Sequence, residues 1–378
     1  MSPLSVLVVG ASAWRAGPPR DDPNVRTAQA LADRLGGRYD IVCPCGDAAP
    51  GTIDLGAVRV HRVRTARRAA FVPAARRVVD GVAASGTHVL MSSDPLAALA
   101  VESSRARRAL PHIFQVQGEI LSPGPEYGGR LKRLGIALAT RSAVRRATAV
   151  RVVREGMRPI VESLTSRPVV YLGSRVDTRL FTPQAGGERA SVAAVMVGGL
   201  LPVKNHLTVV RAWQRVAAAF PDARLLLLGE GPCRPELETA IGELGLRDHV
   251  ELRGAVPHRQ VAALLRTAGC LLHPSWSEGQ PRAVLEAMAC GLPVICSDIT
   301  AHREIAVPPA ARLVAPGDVG GWAEAVSRLL ADPAAAAAAG RHGREFVTAH
   351  HDFETQMDRY AELILSVAAL GPTAAAPS

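Results

Sequence analysis

Two glutamates, Glu278 and Glu286, lie on either side of a proline in the segment 274–295, which has the pattern strand, loop, helix, strand. Pro281 suits the first turn of that helix, where a missing N–H costs nothing. Glu278 then lies in the loop before the helix and Glu286 in its second turn. The free amides of residues 280–283 would point into a cleft, where the helix dipole favours phosphate. A carboxylate deeper in the helix can accept both hydroxyls of a ribose, and one in the loop can accept other sugar hydroxyls.

Both glutamates could instead be ordinary solvated side chains. Glu286, however, lies within the apolar run Ala-Val-Leu-Glu-Ala-Met-Ala. An unpaired charge on such a helix would be costly, which favours a functional role.

A second segment, from Val197 to Asn205, carries a lysine. A strand ends there, Gly198 and Gly199 let the backbone approach a ligand closely, and Lys204 lies just before the next helix. Amides at a helix start and a point positive charge suit a diphosphate. Lys204 is one of only two lysines in the chain, so it is not simply the default basic residue. Glycine after a strand is also what a tight turn requires, and that interpretation remains open.

The elements that must position these residues alternate along the whole chain. Short apolar runs separated by helix-like stretches are typical of parallel βαβ units. The pattern restarts after a turn-rich stretch at 182–190, and we place the domain boundary between residues 185 and 186. The fold class is therefore α/β: two tandem Rossmann-like, doubly wound domains, with a ligand in the cleft between them. Predicted strands are 6–9, 40–43, 58–61, 89–91, 113–116, 149–153, 169–172, 192–197, 224–228, 250–252, 270–273 and 294–296, and predicted helices include 25–35, 130–146, 207–220, 235–244, 259–266 and 282–290.

Composition limits the class of protein. The chain has 378 residues and a hydrophobic content of 48%, enough for two cores. Its apolar runs are shorter than the roughly 20 residues that span a bilayer, and the apolar start at 4–9 indicates a buried strand rather than a signal peptide. The six cysteines contain no C-x-x-C pair, so a reducing cytoplasm is expected.

Charge is unevenly divided. Residues 1–185 carry 27 basic and 14 acidic residues, and residues 186–378 carry 17 and 20, so that the halves have net charges of +13 and −3. A basic N-terminal half indicates an anionic partner, although Arg can also be this chain's preferred soluble residue. Nucleic acid is not expected, because no base-reading motif or aromatic platform accompanies the charge.

The chain resembles glycosyltransferase family 4, a group of retaining transferases with the GT-B fold. The stretch Glu278-Gly279-Gln280-Pro281-Arg282-Ala283-Val284-Leu285-Glu286 matches the E-x7-E pattern of that family. The similarity extends to Arg253-Gly254-Ala255-Val256, to Pro316-Gly317-Asp318 and to the closing helix around 353–365. It covers most of the chain and is most specific from about residue 193 to 305.

The resemblance implies a role for each part of the chain. It implies an acceptor-binding domain at 1–185, a nucleotide-sugar-binding domain at 186–350, a helix at 351–370 that crosses back to the first domain, and a disordered tail at 371–378. Lys204 would neutralise the departing diphosphate, Glu278 would hold the transferred sugar, and Glu286 would bind ribose. The donor site would be formed by Gly198, Gly199, Lys204, Gly254, Ala255, Glu278, Gly279, Gln280, Pro281, Arg282, Ala283 and Glu286.

The resemblance also implies the reaction, a metal-independent hexosyl transfer that needs no cofactor besides the donor. The donor base is bound largely by backbone in this fold, so the residues do not separate UDP, GDP and ADP; we expect a UDP-sugar. The acceptor can be lipid-linked, a saccharide or a small natural product.

Three departures from the family pattern bear on activity. The family usually has arginine five residues before the lysine, where this chain has Gly199. Where the family commonly has His-Gly, this chain has Gln117-Gly118, the acceptor-side candidates, and glutamine cannot take a proton. The glycine-rich acceptor loop is replaced by residues 11–20. These gaps leave open an alternative function, a weakly active or inactive sugar-nucleotide-binding subunit that supports another transferase.

An arginine cluster in the first half gives a further hypothesis. It could rest on the anionic inner face of a membrane as a peripheral contact, although a solvated helix face is an equally good interpretation. The cluster comprises Arg59, Arg62, Arg64, Arg67, Arg68, Arg76 and Arg77.

Overall fold

The computed structural model describes residues 3–10, 23–45, 49–65, 70–117, 120–124, 128–184, 192–306 and 309–371. The chain forms two compact units. The first contains Met1–Gly173 together with Thr355–Ser378, and the second contains Ser174–Glu354. Of the helices in the described part of the chain, none has the length and apolar character needed to cross a membrane.

The first unit is built on an eight-stranded sheet in the order β3-β4-β2-β1-β5-β6-β7-β8. All neighbours are parallel except β3, which pairs with β4 in the antiparallel sense at the edge. Strands such as β5 are buried along their entire length, as expected for a parallel sheet covered on both faces. The strands are β1 Leu4–Val9, β2 Gly36–Pro44, β3 Gly51–Asp54, β4 Val58–Val63, β5 Val89–Ser92, β6 His112–Val116, β7 Ala149–Val152 and β8 Val169–Tyr171.

Helices cover both faces of this sheet. Connections between parallel strands are right-handed as a rule. The steps from β4 to β5 and on to β8 all run in one direction along the sheet, which places α2, α3, α4 and α5 on one face. The step from β1 to β2 runs in the opposite direction, which places α1 on the other face. The helices are α1 Pro23–Leu35, α2 Phe71–Ala83, α3 Pro95–Glu102, α4 Arg130–Arg146 and α5 Arg158–Glu162.

The C-terminal helix, α13 (Phe353–Leu370), contributes to the first unit from Thr355 onward. Arg34 of α1 binds Asp358 of α13 at 2.6 Å. The hydroxyl of Tyr360 donates to the Gln115 side chain at 2.7 Å, and the same amide oxygen accepts from the buried Arg151 at 2.6 Å. The guanidinium of Arg151 also lies 4.7 Å from the centre of the Tyr360 ring. These contacts attach the last helix to strands β6 and β7.

The second unit has a six-stranded parallel sheet in the order β11-β10-β9-β12-β13-β14. The first strand of this unit, β9, lies between the second and the fourth, so the direction of winding reverses between β9 and β12. In open α/β sheets, ligands bind outside the carboxyl ends of the strands at such a switch point. The strands are β9 Val192–Val197, β10 Leu225–Leu228, β11 Val250–Gly254, β12 Ala268–His273, β13 Val294–Ser297 and β14 Ala311–Val314.

The helices of the second unit pack on both faces of its sheet. Trp213 and Trp322, one on α6 and one on α11, are completely buried in one core cluster. A second cluster contains α9, which is buried along almost its whole length. The helices are α6 His206–Ala219, α7 Arg234–Glu243, α8 His258–Thr267, α9 Arg282–Ala289, α10 Thr300–Arg303, α11 Val319–Ala331 and α12 Pro333–His351. The α/β class with two parallel-sheet units is as predicted.

The division between the units lies earlier in the chain than the sequence indicates. The second unit begins at Ser174, not after residue 185, because the segment that follows Ser174 is bound to the end of α12. Val176 forms a parallel bridge with Asp352, and Arg344 donates to the carbonyls of Thr178 at 3.0 Å and Phe181 at 2.7 Å. Of the turn-rich stretch 182–190, residues 185–190 lie outside the described residues.

Candidate active site

Two loops meet at the switch point of the second sheet. Strands β9 and β12 are paired, with Val195 opposite Leu271, so the residues that follow each strand come together at the same sheet edge. The amide of Trp276 donates to the carbonyl of Val203 at 2.8 Å, which joins the loop after β12 to the loop after β9. The two segments singled out from the sequence are thus neighbours.

The centre of this site is an ion pair. The ammonium of Lys204 lies 2.5 Å from Oε1 of Glu278, and the two side chains are 23% and 11% exposed. The aliphatic part of the lysine passes over Gly198, since a Cβ built at Gly198 would lie 3.8 Å from its Cε. Gly198 has φ of +155°, a conformation that L side chains rarely adopt. Among the described residues, Glu278 is the one acceptor of the ammonium, so two of the three N–H donors of Lys204 remain for a ligand.

Three donors converge on one oxygen of Glu278. Besides Lys204, Oε1 accepts from Ser275 Oγ at 2.7 Å and contacts His273 Nε2 at 2.9 Å. Burial by itself would raise the pKa of this carboxyl, but the hydrogen bond with His273 and the charges of His273 and Lys204 outweigh it, and the pKa lies well below its usual range. Among the described residues, nothing donates to Oε2 of Glu278. That oxygen is a permanent anionic acceptor suited to a sugar hydroxyl.

Three histidines surround this pair, and sequence reasoning did not identify them. The rings of His273 and His302 meet edge to face at 5.3 Å, and His302 Nδ1 lies 2.7 Å from the carbonyl of Ser297. Burial, reinforced by the nearby charge of His273, lowers the pKa of both His206 and His302 to about 4. Both are therefore neutral at pH 7 and add no charge to the site. In the sequence, His206 and His273 directly adjoin the two segments singled out above, and His302 lies seven positions beyond the second one.

Asn205 holds the two loops in place. It is the one described non-glycine residue with a left-handed backbone, at φ of 53°. Its side-chain amide donates to the carbonyls of Pro274 at 3.1 Å and Pro316 at 2.8 Å, and its oxygen accepts from Thr208 at 2.8 Å. One side chain thus ties the loop after β9 to two other loops at the same sheet edge. None of these partners was predicted from the sequence.

Helix α9 opens next to Glu278. The helix begins at Arg282, so Pro281 is the residue before the first turn rather than inside it, with an extended backbone. The first backbone bonds of the helix run from the amides of Val284 and Leu285 to the carbonyl of Pro281. In the described structure, the amides of Gly279, Gln280, Arg282 and Ala283 donate to no protein acceptor. Such unsatisfied amides at a helix start suit an anion.

The side chain of Gln280, unlike its backbone amide, has a hydrogen-bond partner among the described residues. Its Oε1 accepts a short hydrogen bond from the backbone amide of Ser174. The carbonyl of Ser174 lies 2.8 Å from Nδ1 of His351. Gln280 therefore anchors the loop before α9 to the first residue of this unit.

Glu286 is buried, with its side chain 8% exposed. Its Oε1 lies 2.9 Å from Nε2 of His258, at the start of α8, and 3.9 Å from the guanidinium of Arg282 one turn away. His258 in turn packs edge to face against Phe181 at 5.1 Å. The carboxylate therefore has a partner, which removes the cost expected of a lone charge on an apolar helix.

Backbone glycines line the same sheet edge toward β11. A Cβ added to Gly229 would lie only 1.9 Å from the carbonyl oxygen of Gly198, so the loops after β9 and β10 touch. Gly254 ends β11 with φ of +82°, and its carbonyl accepts from Gly229 at 2.8 Å. Gly254 and Ala255 thus lie two strands away from β9, at the edge where the predicted base pocket would be.

The comparisons with known proteins match both units. The family described as "Glycosyl transferases group 1" matches residues 187–346, and "Glycosyl transferase 4-like domain" matches residues 24–173. The chain belongs to the group 1 glycosyl transferases. The predicted family relationship is confirmed.

Two curated relatives each match about half of this chain. A 2-deoxystreptamine glucosyltransferase of Streptomyces kanamyceticus is 31% identical over 50% of this chain and 49% of its own length. A GDP-mannose-dependent alpha-(1-6)-phosphatidylinositol monomannoside mannosyltransferase of Mycolicibacterium smegmatis is 29% identical over 53% of this chain and 56% of its own. The chain thus spans about half the length of these curated relatives. Sucrose-phosphate synthase from Thermosynechococcus elongatus has a similar fold, with a TM-score of 0.84 at 20% identity over 97% of this chain and 100% of that one.

Gly199 is the position where the group 1 pattern led us to expect arginine. A Cβ built there would lie 3.5 Å from the carbonyl of Glu230 and 3.6 Å from the side chain of Leu201, both ordinary contacts. The glycine is not required by backbone geometry, because its φ is not in the left-handed range. Nothing in the described structure forces the loss of the arginine.

The acceptor-side candidates are less well defined. Gln117 follows β6 in the first unit and is exposed. Gly118 and residues 11–20 lie outside the described residues. The structure therefore brings together the donor-side residues of the second unit and leaves the acceptor side as a prediction.

Proposed function

We propose that this protein transfers a sugar from a nucleoside-diphosphate sugar to an acceptor, with retention of anomeric configuration and without a metal ion. The observation that carries the proposal is the Lys204–Glu278 pair at the switch point of the second sheet. It lies beside the unbonded amides that open α9, so a cationic donor, a row of N–H groups and a fixed carboxylate are adjacent. A nucleoside-diphosphate sugar, in which a diphosphate is joined to a hexose, requires that set of groups.

The diphosphate is bound by Lys204 and the amides of Gly279, Gln280, Arg282 and Ala283. One N–H of the lysine is used by Glu278, which fixes the direction of the other two. As the bond between the anomeric carbon and the phosphate oxygen breaks, negative charge grows on the diphosphate. Fixed donors in a partly buried site stabilise that charge without reorganisation.

Glu278 and Glu286 bind the sugars of the donor. Oε2 of Glu278 accepts a hydroxyl of the transferred hexose, while Oε1 is held by Lys204, His273 and Ser275. Glu286, in the second turn of α9, accepts the ribose hydroxyls. His258 orients that carboxylate from the other side.

In the transfer step the acceptor oxygen bonds to the anomeric carbon on the face that the diphosphate leaves. The acceptor proton passes to a phosphate oxygen of the departing nucleoside diphosphate. No side chain is assigned as a nucleophile. Gly118 and Gln117, which can hydrogen-bond but not take a proton, are the proposed acceptor-side residues.

A UDP-sugar is the proposed donor, and the protein is proposed to act in the cytoplasm. The relatives' names do not agree on one donor or acceptor: one is a glucosyltransferase of an aminocyclitol, and the other is GDP-mannose-dependent and acts on a phosphatidylinositol mannoside. Donor and acceptor are therefore tested as separate variables. The alternative function, a sugar-nucleotide-binding subunit, is not favoured, because both relatives are transferases and the Lys204–Glu278 pair is present.

Titration calorimetry with UDP, GDP and ADP tests the site. Replacing a charge-assisted hydrogen-bond donor costs about 1.5–3 kcal/mol, so Lys204→Ala should weaken the preferred diphosphate roughly 10- to 150-fold. Arg211→Ala, which removes an exposed cation from α6, is the control and should bind like the wild type. Wild-type affinity in Lys204→Ala would refute the assignment.

A turnover assay separates the two functions. Release of the nucleoside diphosphate from the matching sugar nucleotide, with aminocyclitol, saccharide and glycolipid acceptors, should depend on Lys204. Binding of the diphosphate without turnover on any acceptor or on water would establish the binding subunit instead.

A further inference from the structure

An apolar stripe runs along the outer face of α4. Leu131 is 86% exposed, and Leu134 and Leu138 are each 55% exposed. Their spacing puts all three on one side of the helix. The opposite side is buried against the sheet through residues such as Ala137, Thr140 and Val144. Three leucines on a surface helix therefore have no partner within the described part of this unit.

Positive charge flanks this stripe. Helix α4 has six basic residues and no acidic one. Successive residues of a helix are turned by about 100°, which places Arg130 and Arg141 along one border of the leucines and Lys132 and Arg146 along the other. The full set is Arg130, Lys132, Arg133, Arg141, Arg145 and Arg146, and in the described structure none of the six side chains forms an ion pair.

Exposed apolar and basic residues also occur on the helices near α4. Helices α2, α3 and α4 pack side by side on one side of the first sheet. Leu99 of α3 is 51% exposed, and Ile160 of α5 is 55% exposed. Arg76 and Arg77 are exposed on α2. In the same unit, Arg59 is paired with Asp54 at 3.1 Å.

We propose that α4 docks on an anionic phospholipid bilayer, with Leu131, Leu134 and Leu138 inserted between the headgroups and the flanking basic residues on lipid phosphates. A helix with an apolar centre and basic borders is the form that lies in a membrane interface. A second copy of this chain fits the surface less well, because a two-fold contact through α4 would bring two sets of six positive charges together. Within the predicted Arg59–Arg77 cluster, Arg76 and Arg77 lie on the neighbouring helix α2, Arg59 is paired with Asp54, and Arg67 and Arg68 lie outside the described residues.

Vesicle flotation with the full chain tests this surface. Vesicles of phosphatidylcholine alone are compared with vesicles that contain phosphatidylglycerol, both without sugar nucleotide, so the outcome does not depend on the proposed function. The wild type should float with the anionic vesicles and be released by salt. Each basic residue near an anionic surface contributes about fivefold to partitioning, so Arg130→Gln, Lys132→Gln and Arg141→Gln together should reduce it roughly 100-fold.

Matched variants distinguish an effect of this surface from a general effect of net charge or of exposed apolar side chains. The leucine triple variant, Leu131→Ser, Leu134→Ser and Leu138→Ser, should lose at least about tenfold in partitioning. It should keep the wild-type melting temperature, because these side chains are exposed. Leu370→Ser removes an exposed leucine from α13 and should leave partitioning unchanged. The same holds for Arg211→Gln, Arg247→Gln and Arg312→Gln, which remove three exposed charges from the second unit.

Three results would overturn the proposal. One is absence of the wild type from anionic vesicles. Another is equal flotation of the leucine variant and the wild type. The third is a concentration-dependent dimer, seen by sedimentation, that the leucine variant dissociates, since that would make α4 a contact between copies.

Discussion

Gly199→Arg should increase the activity of this protein rather than damage it. The loop that carries Lys204 has glycine where the related family usually has arginine. The structure shows room for a side chain, since a Cβ at this position meets its nearest neighbours at 3.5 and 3.6 Å. The backbone is not left-handed there, so an arginine causes no backbone strain. Its guanidinium would start from the same loop as Lys204 and can bind the diphosphate in a bidentate manner.

The size of the gain follows from the charge that the diphosphate develops. One preorganised donor to a developing oxyanion contributes about 2.7–4 kcal/mol in comparable sites. An added arginine that is less well ordered should supply part of this, about 2 kcal/mol, which corresponds to roughly 30-fold in kcat/KM. Stability should change little, because Leu201 and the Glu230 carbonyl are at ordinary contact distance.

The assay is release of the nucleoside diphosphate at several donor concentrations, with Gly81→Arg as control. Gly81 lies exposed on α2 of the first unit with open space around its Cα, so this variant adds the same charge away from the donor site. An increase in kcat/KM in Gly199→Arg alone supports the site. If Gly199→Arg lowers kcat/KM while the protein remains folded, the diphosphate does not lie beside this loop and the reasoning is refuted.

Three further predictions concern the same unit. Glu286→Ala should weaken binding of a nucleoside diphosphate by about tenfold but leave the affinity for inorganic pyrophosphate unchanged, since only ribose contacts are lost. The control is Glu243→Ala, which removes an exposed glutamate from α7. Equal losses of affinity for the two ligands in Glu286→Ala would contradict the ribose role. Asn205→Ala should lower the free energy of unfolding by about 2–4 kcal/mol, because hydrogen bonds are lost and alanine is strained in a left-handed backbone conformation. Asn205→Gly should lower it by less, because glycine adopts that conformation without strain. Urea unfolding measures both values, and a larger loss in the glycine variant would contradict the prediction. Because the pKa of His302 is lowered to about 4, chiefly by burial and then by His273, the unfolded chain binds the proton more tightly, and stability is lost as pH falls from about 6.5 to 4. Between pH 7 and pH 5 this histidine should account for about 2 kcal/mol of lost stability, so His302→Gln should have a correspondingly flatter pH dependence in urea unfolding, and an unchanged slope would contradict the prediction.

The elements with regular apolar patterns were predictable from the sequence. The strand 192–197 and the helix 130–146 have the predicted bounds in the structure, because hydrophobic periodicity is a local property that tertiary packing preserved. The repeated βαβ pattern predicted parallel sheets in both units, and the order of the strands came from the structure. Edge strand β3 was not predicted, since its four residues are exposed or half-buried and have no apolar run.

The contacts around the site depend on residues far apart in the chain and could not be inferred from spacing. His258 meets Glu286 across 28 positions, and Lys204 meets Glu278 across 74. Sequence reasoning identified Lys204, Glu278 and Glu286 by type and position but missed His273 and His258, because a histidine in an apolar segment resembles an ordinary core residue. The pairing of Val176 with Asp352, which joins the residues after Ser174 to the second unit, is likewise a long-range contact that composition does not reveal.

A crystal structure with a bound nucleoside diphosphate tests the central claim most directly. We expect the terminal phosphate within hydrogen-bonding distance of Lys204 Nζ and of the amides of Gly279, Gln280, Arg282 and Ala283, with the ribose hydroxyls on the Glu286 carboxylate. A diphosphate bound elsewhere, with Lys204 still on Glu278 and the start of α9 empty, would contradict it.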